Sequence, residues 1–495
     1  MTALAAAERV IDASGVAPQI EAMLPAGVRA RQLSVRTLLA GMMTALGDGR
    51  PAHLTRVHQA LTCLPGGEQR RLGVLADWKG GPHRLTYRQA EYTFGLVKAA
   101  LGKDQPDGLP SQALQRICDS LLEASVPEEF KDASTSLAVD WSDQETFSRP
   151  PPRGTSDCAD PEASWGHRRN NLLHDEDELF FGYYLSDAVT VPDEHGPPVP
   201  EFTRRMTVSS CRCDPVPAFT PVLTAMPGDG VPLGDILSDS GYSHRIPQNW
   251  ASPLRAAGAQ LVQDLHPHDR GPRGTHQGAV IANGNIYCPR TPRPLLELAP
   301  LSRAAAPAQA AAHDAKTAEA ARYKLGRLTS DDADGCHRVQ CPAAAGKVRC
   351  QLQPPSMSLD RDRPEILQPP EHPQACCTQQ TITVPPDVLA KTAQKHDYPS
   401  AAWRRSYTRR SGAERGFATV KDPAGNDTAR GWCRLMGLAP LMLFTVTLLA
   451  VRNQRVLAAW TVRQEENQRR AARGLPPKTR KRRRKTLAGL AAGPP

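Results

Sequence analysis

Three carboxylates in this chain stand where side chains meet a cleft. The segment "LAVDWSD" runs apolar up to Asp140, and "DILSDSGYS" does the same up to Asp239, which is followed at once by the turn residues Ser240 and Gly241. An acid directly after an apolar run lies at a strand tip, where a sheet presents side chains to a ligand. The third is Glu414, inside "YTRRSGAERGFATVK" at residues 407–421. At about 100° per residue, Tyr407, Arg410, Glu414, Phe417 and Lys421 fall within roughly 80° of arc, a single stripe if the segment is one helix. A buried stripe should be apolar. This one collects a phenol, a guanidinium, a carboxylate and an ammonium, a set suited to a polyanion or a metal. Two strand-tip carboxylates and a third on a neighbouring helix would bind two divalent cations, and Mg²⁺ favours such hard oxygen ligands. A pair of ions of this kind activates a water or hydroxyl on one side of a phosphorus and stabilises the leaving oxygen on the other.

The spacing is specific. Tyr407, two residues, Arg410, three residues, Glu414, six residues and Lys421, following "AVDWSD" and "LSDSGYS" in that order, resembles the Y-R-E-K signature and two aspartate motifs of the DDE transposases of bacterial insertion sequences. The resemblance covers roughly residues 134–460. It implies an α/β fold, an RNase H-like mixed sheet flanked by helices. Asp140 would stand on the first strand, Asp239 on the fourth and Glu414 on a later helix, with two Mg²⁺ or Mn²⁺ ions as cofactors. The separations of 99 residues from Asp140 to Asp239 and 175 from Asp239 to Glu414 suit members that carry a large insertion before the glutamate. The resemblance further implies that Tyr407, Arg410 and Lys421 contact DNA-end phosphates. Arginine grips phosphate bidentately and lysine acts as a point charge, and Arg404, Arg405, Arg409 and Arg415 would widen the patch. The implied function is a transposase that binds terminal inverted repeats and target DNA, cuts the ends and transfers a strand, working as a homodimer on DNA. A metal-dependent nuclease without strand transfer and an inactive end-binding repressor or relic are the alternatives.

Other residues are weaker candidates. Asp143 and Asp235 neighbour the proposed ligands, but Asp143 is expected past the end of its strand and Asp235 before the start of its own. The loop "HPHDRGPRGTHQG" sets His266, His268, Asp269 and His276 beside Arg270 and Arg273. Basic residues among glycines let backbone amides approach phosphates, so Arg270 and Arg273 are expected to face DNA ahead of any zinc at the histidines. The segment "SWGHRRN", with Trp165, Gly166, His167, Arg168 and Arg169, reads as another loop facing DNA or as plain packing. Cys288, Cys336, Cys341, Cys350, Cys376 and Cys377 gather in one region. There "CHRVQCP" resembles half a zinc knuckle, making Cys336, Cys341, Cys350 and Cys376 candidate ligands of a structural Zn²⁺.

These side chains need elements to hold them. Residues 1–130 read as helical, with no strand pattern, and are expected to bind DNA ends. Residues 131–265 carry three strands in antiparallel fashion and then alternate helix and strand, the first part of the catalytic domain. Residues 266–395 are a Cys- and Pro-rich insertion, 396–462 complete the catalytic domain, and 463–495 form a disordered basic tail. The net charge of +10 comes from 61 basic and 51 acidic residues, and ten of the basic ones lie in residues 469–485, so the body is neutral and the tail alone seeks phosphate. Twelve cysteines in a chain of 495 residues whose start, "MTALAAAERVIDASG", lacks a basic and then apolar leader suit a reducing cytoplasm, at the nucleoid. The uncharged run from Leu435 to Val451 is expected to be a buried helix, with no membrane partner.

Overall fold

Residues 2–26, 31–51, 53–78, 81–152, 155, 157–169, 177–302, 305–421 and 433–478 are described by a computed structural model. Helix-period apolar positions fold the N-terminal region into α1 (Ala3–Ser14), α2 (Val16–Met23), α3 (Val35–Gly47), α4 (Leu54–Thr62) and α5 (Gly66–Arg71). A hairpin, β1 (Leu75–Trp78) and β2 (Gly81–Arg84), follows, then α6 (Tyr87–Leu101), α7 (Gln112–Ala124) and the short α8 (Glu128–Lys131). Side-chain caps start several of these helices: the Ser34 and Ser111 hydroxyls accept from the N–H groups of Thr37 and Leu114, and Thr86 and Gln89 form a reciprocal capping box. The hairpin corrects the expectation that no strand interrupts this region; its four-residue strands are too short to give a period-2 signal.

The central sheet contains β3 (Leu137–Glu145), β4 (Ser164–Arg169), β5 (Asp177–Thr190), β6 (Thr203–Ser210), β7 (Asp235–Ser238) and β8 (Gln260–Gln263). Its main path runs β6, β5, β3, β7, β8, with β4 pairing the N-terminal half of β5. β5 is antiparallel to both β3 and β6, whereas β7 is parallel to β3 and to β8. The expected antiparallel opening and helix-strand alternation are therefore present in a mixed α/β sheet. Between these strands stand α9 (Pro215–Thr224), α10 (Ser240–Ser243) and α11 (Ala251–Ala256). β4 was expected as a loop; a strand with a half-exposed Trp165 on the sheet margin needs no apolar alternation to pair.

Alternation along β3 assigns the two faces. Leu137 and Val139, with Trp141 against them, pack into a core with α9 and α11, while Ala138 turns the other way into a core with Leu237, Val262, Trp403 and Ala413. Asp140 shares the face of Ala138.

The insertion is built from small pieces: β9 (Pro272–His276), β10 (Ala279–Ala282), β11 (Asn285–Tyr287), α12 (Arg293–Leu296), α13 (Pro307–Tyr323), β12 (Gly326–Arg327), β13 (His337–Gln340), β14 (Arg349–Cys350), β15 (Glu365–Ile366), α14 (Ala375–Thr378) and β16 (Ile382–Val384). It has two small cores of its own. The chain then returns to the sheet as α15 (Ala401–Tyr407), a 3₁₀ turn at Thr408–Arg410, α16 (Ser411–Val420) and the long α17 (Leu438–Ala471).

α17 is the one described helix long and apolar enough to cross a bilayer, yet it is buried from Leu438 to Asn453. It is a core helix, as its sequence suggested. Gln144 of β3 donates to the Thr445 hydroxyl at 2.9 Å, and Asn453 bonds both the N–H and the carbonyl of Thr203. One continuous apolar cluster joins α1, α3, α6 and α7 to α17 and to Tyr183, Leu185, Met206 and Val208 of the sheet. The N-terminal helices thus share the main core, and no core boundary falls at residue 130. α17 also runs nine residues into the segment expected to be a disordered tail from 463; of that tail, residues 479–495 lie outside the described residues.

Candidate active site

β3, β7 and α16 bring the three carboxylates to one point. Asp140 lies in β3, where it accepts the Trp141 N–H at 2.9 Å through Oδ1. Asp239 follows β7 and caps α10, its Oδ1 accepting the Gly241 N–H at 2.9 Å. Gly241 is required here, because a Cβ would sit 2.3 Å from the Trp141 ring. Glu414 projects from the first turn of α16.

The Arg410 guanidinium stands at the point where they converge. Its Nη2 donates to Asp140 Oδ2 at 2.8 Å and to Asp239 Oδ2 at 3.4 Å, and its Nη1 donates to Glu414 Oε1 at 2.8 Å. Only 9% of the Arg410 side chain is exposed, against 42% for Glu414, so the cation is the deeper partner. Burial pushes the Asp140 carboxyl up to about 7, and the charges of Asp239 and Glu414 add to this while Arg410 and the Trp141 N–H oppose it. One positive charge serves three acids.

Comparison of the chain with protein-family models, with curated proteins and with solved structures gave no match. The case for the site therefore rests on its geometry.

Most of the expected phosphate contacts are engaged inside the protein. The helix that would have carried them as one stripe is broken: Arg410 ends a 3₁₀ turn between α15 and α16. Tyr407 stacks on Trp403, with ring centroids 4.7 Å apart and planes 15° from parallel. Lys421 Nζ pairs with Asp143 at 2.8 Å, Arg404 with Asp314, and Arg415 with Glu201. Arg409 is half-buried and bonds Asp235 Oδ2 at 2.6 Å. Arg270 pairs with Asp264 at 3.1 Å, and Arg273 donates to the Pro267 carbonyl at 3.3 Å. Arg405 is exposed.

The two rival aspartates have other duties. Asp143 lies inside β3, not past its end, and bonds Arg168 as well as Lys421; burial opposes its charge, and those two cations hold its carboxyl below the ordinary range. Asp235 is the first residue of β7, not ahead of it, and is gripped by Lys395 at 2.9 Å and by Arg409. Around the histidines, His244, His266 and His268 bring three ligand atoms within 4.8 Å of one another. Asp269 instead pairs with Lys391, and His276 Nε2 contacts the Thr383 carbonyl at 2.8 Å.

Two features were not singled out in the sequence. Asp187 lies directly across the ladder from Asp140, is fully buried, and has neither oxygen hydrogen-bonded. Burial pushes its carboxyl well above the ordinary range, Asp140 adds to the push and Arg452 opposes it. An acid in the middle of "YYLSDAVTV" was the available signal. The second is the pair Gly412 and Gly416, four apart in α16. A Cβ on Gly412 would sit 2.6 Å from Val191 Cγ1, and one on Gly416 would sit 3.3 Å from Val189 Cγ2. Their lack of side chains lets α16 lie close on β5 and sets the reach of Glu414.

Proposed function

We propose that this protein is a DDE-type transposase, which binds the inverted-repeat ends of its own element and cuts and joins DNA at Asp140, Asp239 and Glu414. The observation that carries the reading is the convergence of these three acids, 99 and 175 residues apart in sequence, on one cationic centre. Arg168 and Arg205 each meet three carboxylates as well, so what marks this cluster is that its acids come from β3, the end of β7 and α16 and that burial raises the Asp140 carboxyl to about 7. The strand order, with three antiparallel strands followed by two parallel ones on the other side of the first, supports an RNase H-like assignment.

The donor set fits hard divalent ions, since carboxylate oxygens from three elements already surround a positive charge. Asp140 and Asp239 would hold Mg²⁺ or Mn²⁺ from the sheet, and Glu414 would complete the set from α16. Two such ions, when bound, activate the attacking oxygen and stabilise the leaving one at a phosphodiester. Arg410 holds the acids together before ions arrive and, on leaving them, becomes a bidentate donor beside the same point, suited to a DNA phosphate. Asp140 gives up a proton to accept an ion, because burial has raised its carboxyl to about 7. Both ends must be handled together, which favours a dimer on DNA.

The test is joining. Duplex oligonucleotides carrying the element's ends are incubated with the protein, Mg²⁺ and a plasmid target. Covalent end-plasmid products support the transposase. Cut ends with no joined product would replace it with the nuclease reading.

A further inference from the structure

Beyond the acids around Arg410, the fold gathers a second set of side chains able to hold a metal. His244, His266 and His268 place three ring nitrogens within 4.8 Å of one another, the one such group of histidine, cysteine or carboxylate ligands among the described residues. Ring centroids are 4.0 Å apart for His244 and His266, 4.8 Å for His266 and His268, and 6.2 Å for His244 and His268. Cys336, Cys341, Cys350 and Cys376, expected from spacing to share a Zn²⁺, form no group of this kind among the described residues.

Two segments separate in sequence build the histidine group. His244 ends α10, the helix that Asp239 caps at its start. His266 caps a 3₁₀ turn at Pro267–Asp269 in the loop after β8, and His268 lies inside that turn. The His266 N–H donates to the Ser243 hydroxyl at 3.0 Å, which fixes the loop against the end of α10. Within the turn, the His268 N–H donates to His266 Nδ1 at 3.3 Å. At that length the Nδ1 lone pair is weakly held, and an ion can take it over.

The surrounding charges leave the rings available. Arg245 pairs with Asp214, Arg270 with Asp264, and Lys391 with Asp269, so the ions flanking the group are already matched. Three imidazoles this close repel one another when protonated, so the neutral form is the one that packs in this way. Neutral imidazole is the commonest metal ligand among side chains.

We propose that His244, His266 and His268 bind a Zn²⁺ ion at a site distinct from the three carboxylates. Imidazole nitrogen suits Zn²⁺, whereas Mg²⁺ takes oxygen. Zinc-nitrogen bonds are about 2.0–2.1 Å long, which sets tetrahedral ligand nitrogens roughly 3.4 Å apart. His244 and His268 are exposed, and their rings are free to close the remaining gap. Among the described residues no fourth such side chain joins the group, so the fourth position falls to water. The ion ties the end of α10 to the turn after β8, whether or not the acids cut DNA.

The experiment titrates Zn²⁺ into the full chain, stripped of metal with EDTA and then dialysed into excess Mg²⁺, which occupies carboxylates and leaves imidazoles open. About one ion per chain should bind most tightly and raise the unfolding temperature. His244→Ala, His266→Ala and His268→Ala should each weaken that binding by at least about tenfold, the scale on which even outer-shell partners act, and remove most of the thermal shift. His276→Ala, whose ring instead meets the Thr383 carbonyl, should leave both unchanged. Co²⁺ in place of Zn²⁺ should give wild-type protein the visible bands of a tetrahedral site without thiolate-to-metal absorption, a reading that needs no variant to fold. Absence of Zn²⁺ binding, equal affinity in wild type and the three variants, or a thiolate band with Co²⁺ would overturn the proposal.

Discussion

Arg410 Nη2 lies 2.8 Å from Asp140 Oδ2, joining residues 270 positions apart, and the same guanidinium reaches Asp239 and Glu414. The site is closed by an internal cation. A divalent ion must therefore displace an existing partner, and that competition makes the arrangement testable without DNA.

Replacing Arg410 by Gln removes the competitor and leaves three acids facing one another. The metal-free variant should be less stable than wild type by about 3 kcal/mol, the scale for breaking a buried charge pair. Saturating Mn²⁺ should recover much of that loss, and Mn²⁺ should bind the variant more tightly than wild type. Thermal unfolding with and without Mn²⁺ reads both. A loss that Mn²⁺ leaves untouched would mean that the acids do not share an ion.

The pH dependence follows from Asp140. Its carboxyl is raised from 3.8 to about 7, so the folded chain binds a proton that the unfolded chain has released between those values. Stability of the metal-free protein should fall as pH rises through that window and level off above it, and Asp140→Asn should lack this contribution. Mn²⁺ affinity should run the other way, weakening by about tenfold per pH unit below 7 as protons compete for the site. Calorimetric titration between pH 5.5 and 8 in roughly half-unit steps checks the sign.

Asp235 separates structure from chemistry. It is held by Lys395 and Arg409 on a buried strand, and Asp235→Asn should cost about 3 kcal/mol by leaving Arg409 without its carboxylate, while Lys395 keeps Glu194. Glu414, more exposed, should tolerate Glu414→Gln with little loss of fold or DNA binding while cleavage disappears. Equal loss of binding and cleavage in Glu414→Gln would count against a metal role.

Gly412→Ala should destabilise by about 1 to 3 kcal/mol, since the added carbon meets Val191 at 2.6 Å and lifts α16 from β5. Because that lift also displaces Glu414, metal affinity should drop with it. Gly95, inside α6 with open space around it and an ordinary helical φ, is the control position.

The strands of the sheet were legible because "LAVDWSD", "FTRRMTVSSC" and "GDILSDSGYS" carry clear apolar runs bounded by turn residues. Asp239 was legible because it sits at such a boundary and Glu414 because of its spacing from Arg410, whereas Asp140, expected at a strand tip, lies inside β3, which runs on to Glu145 because its polar residues still pair with β5. The ion pairs were not. Whether Arg409 and Arg415 face solvent or Asp235 and Glu201 is decided by which distant carboxylate the fold brings near, and spacing does not encode that. β4 and the hairpin were missed because short edge strands are held by partners rather than by their own pattern.

The central claim is that Asp140, Asp239 and Glu414 form a metal-dependent site for DNA cleavage. The most direct test is cutting of labelled DNA carrying the element's own termini, with Mg²⁺ and with EDTA, by wild type and by Asp140→Asn. Cuts at the termini that need Mg²⁺ and vanish in Asp140→Asn are the predicted result. Cutting that survives in Asp140→Asn, or a folded wild-type protein that binds the termini and leaves them intact in Mg²⁺, would contradict it.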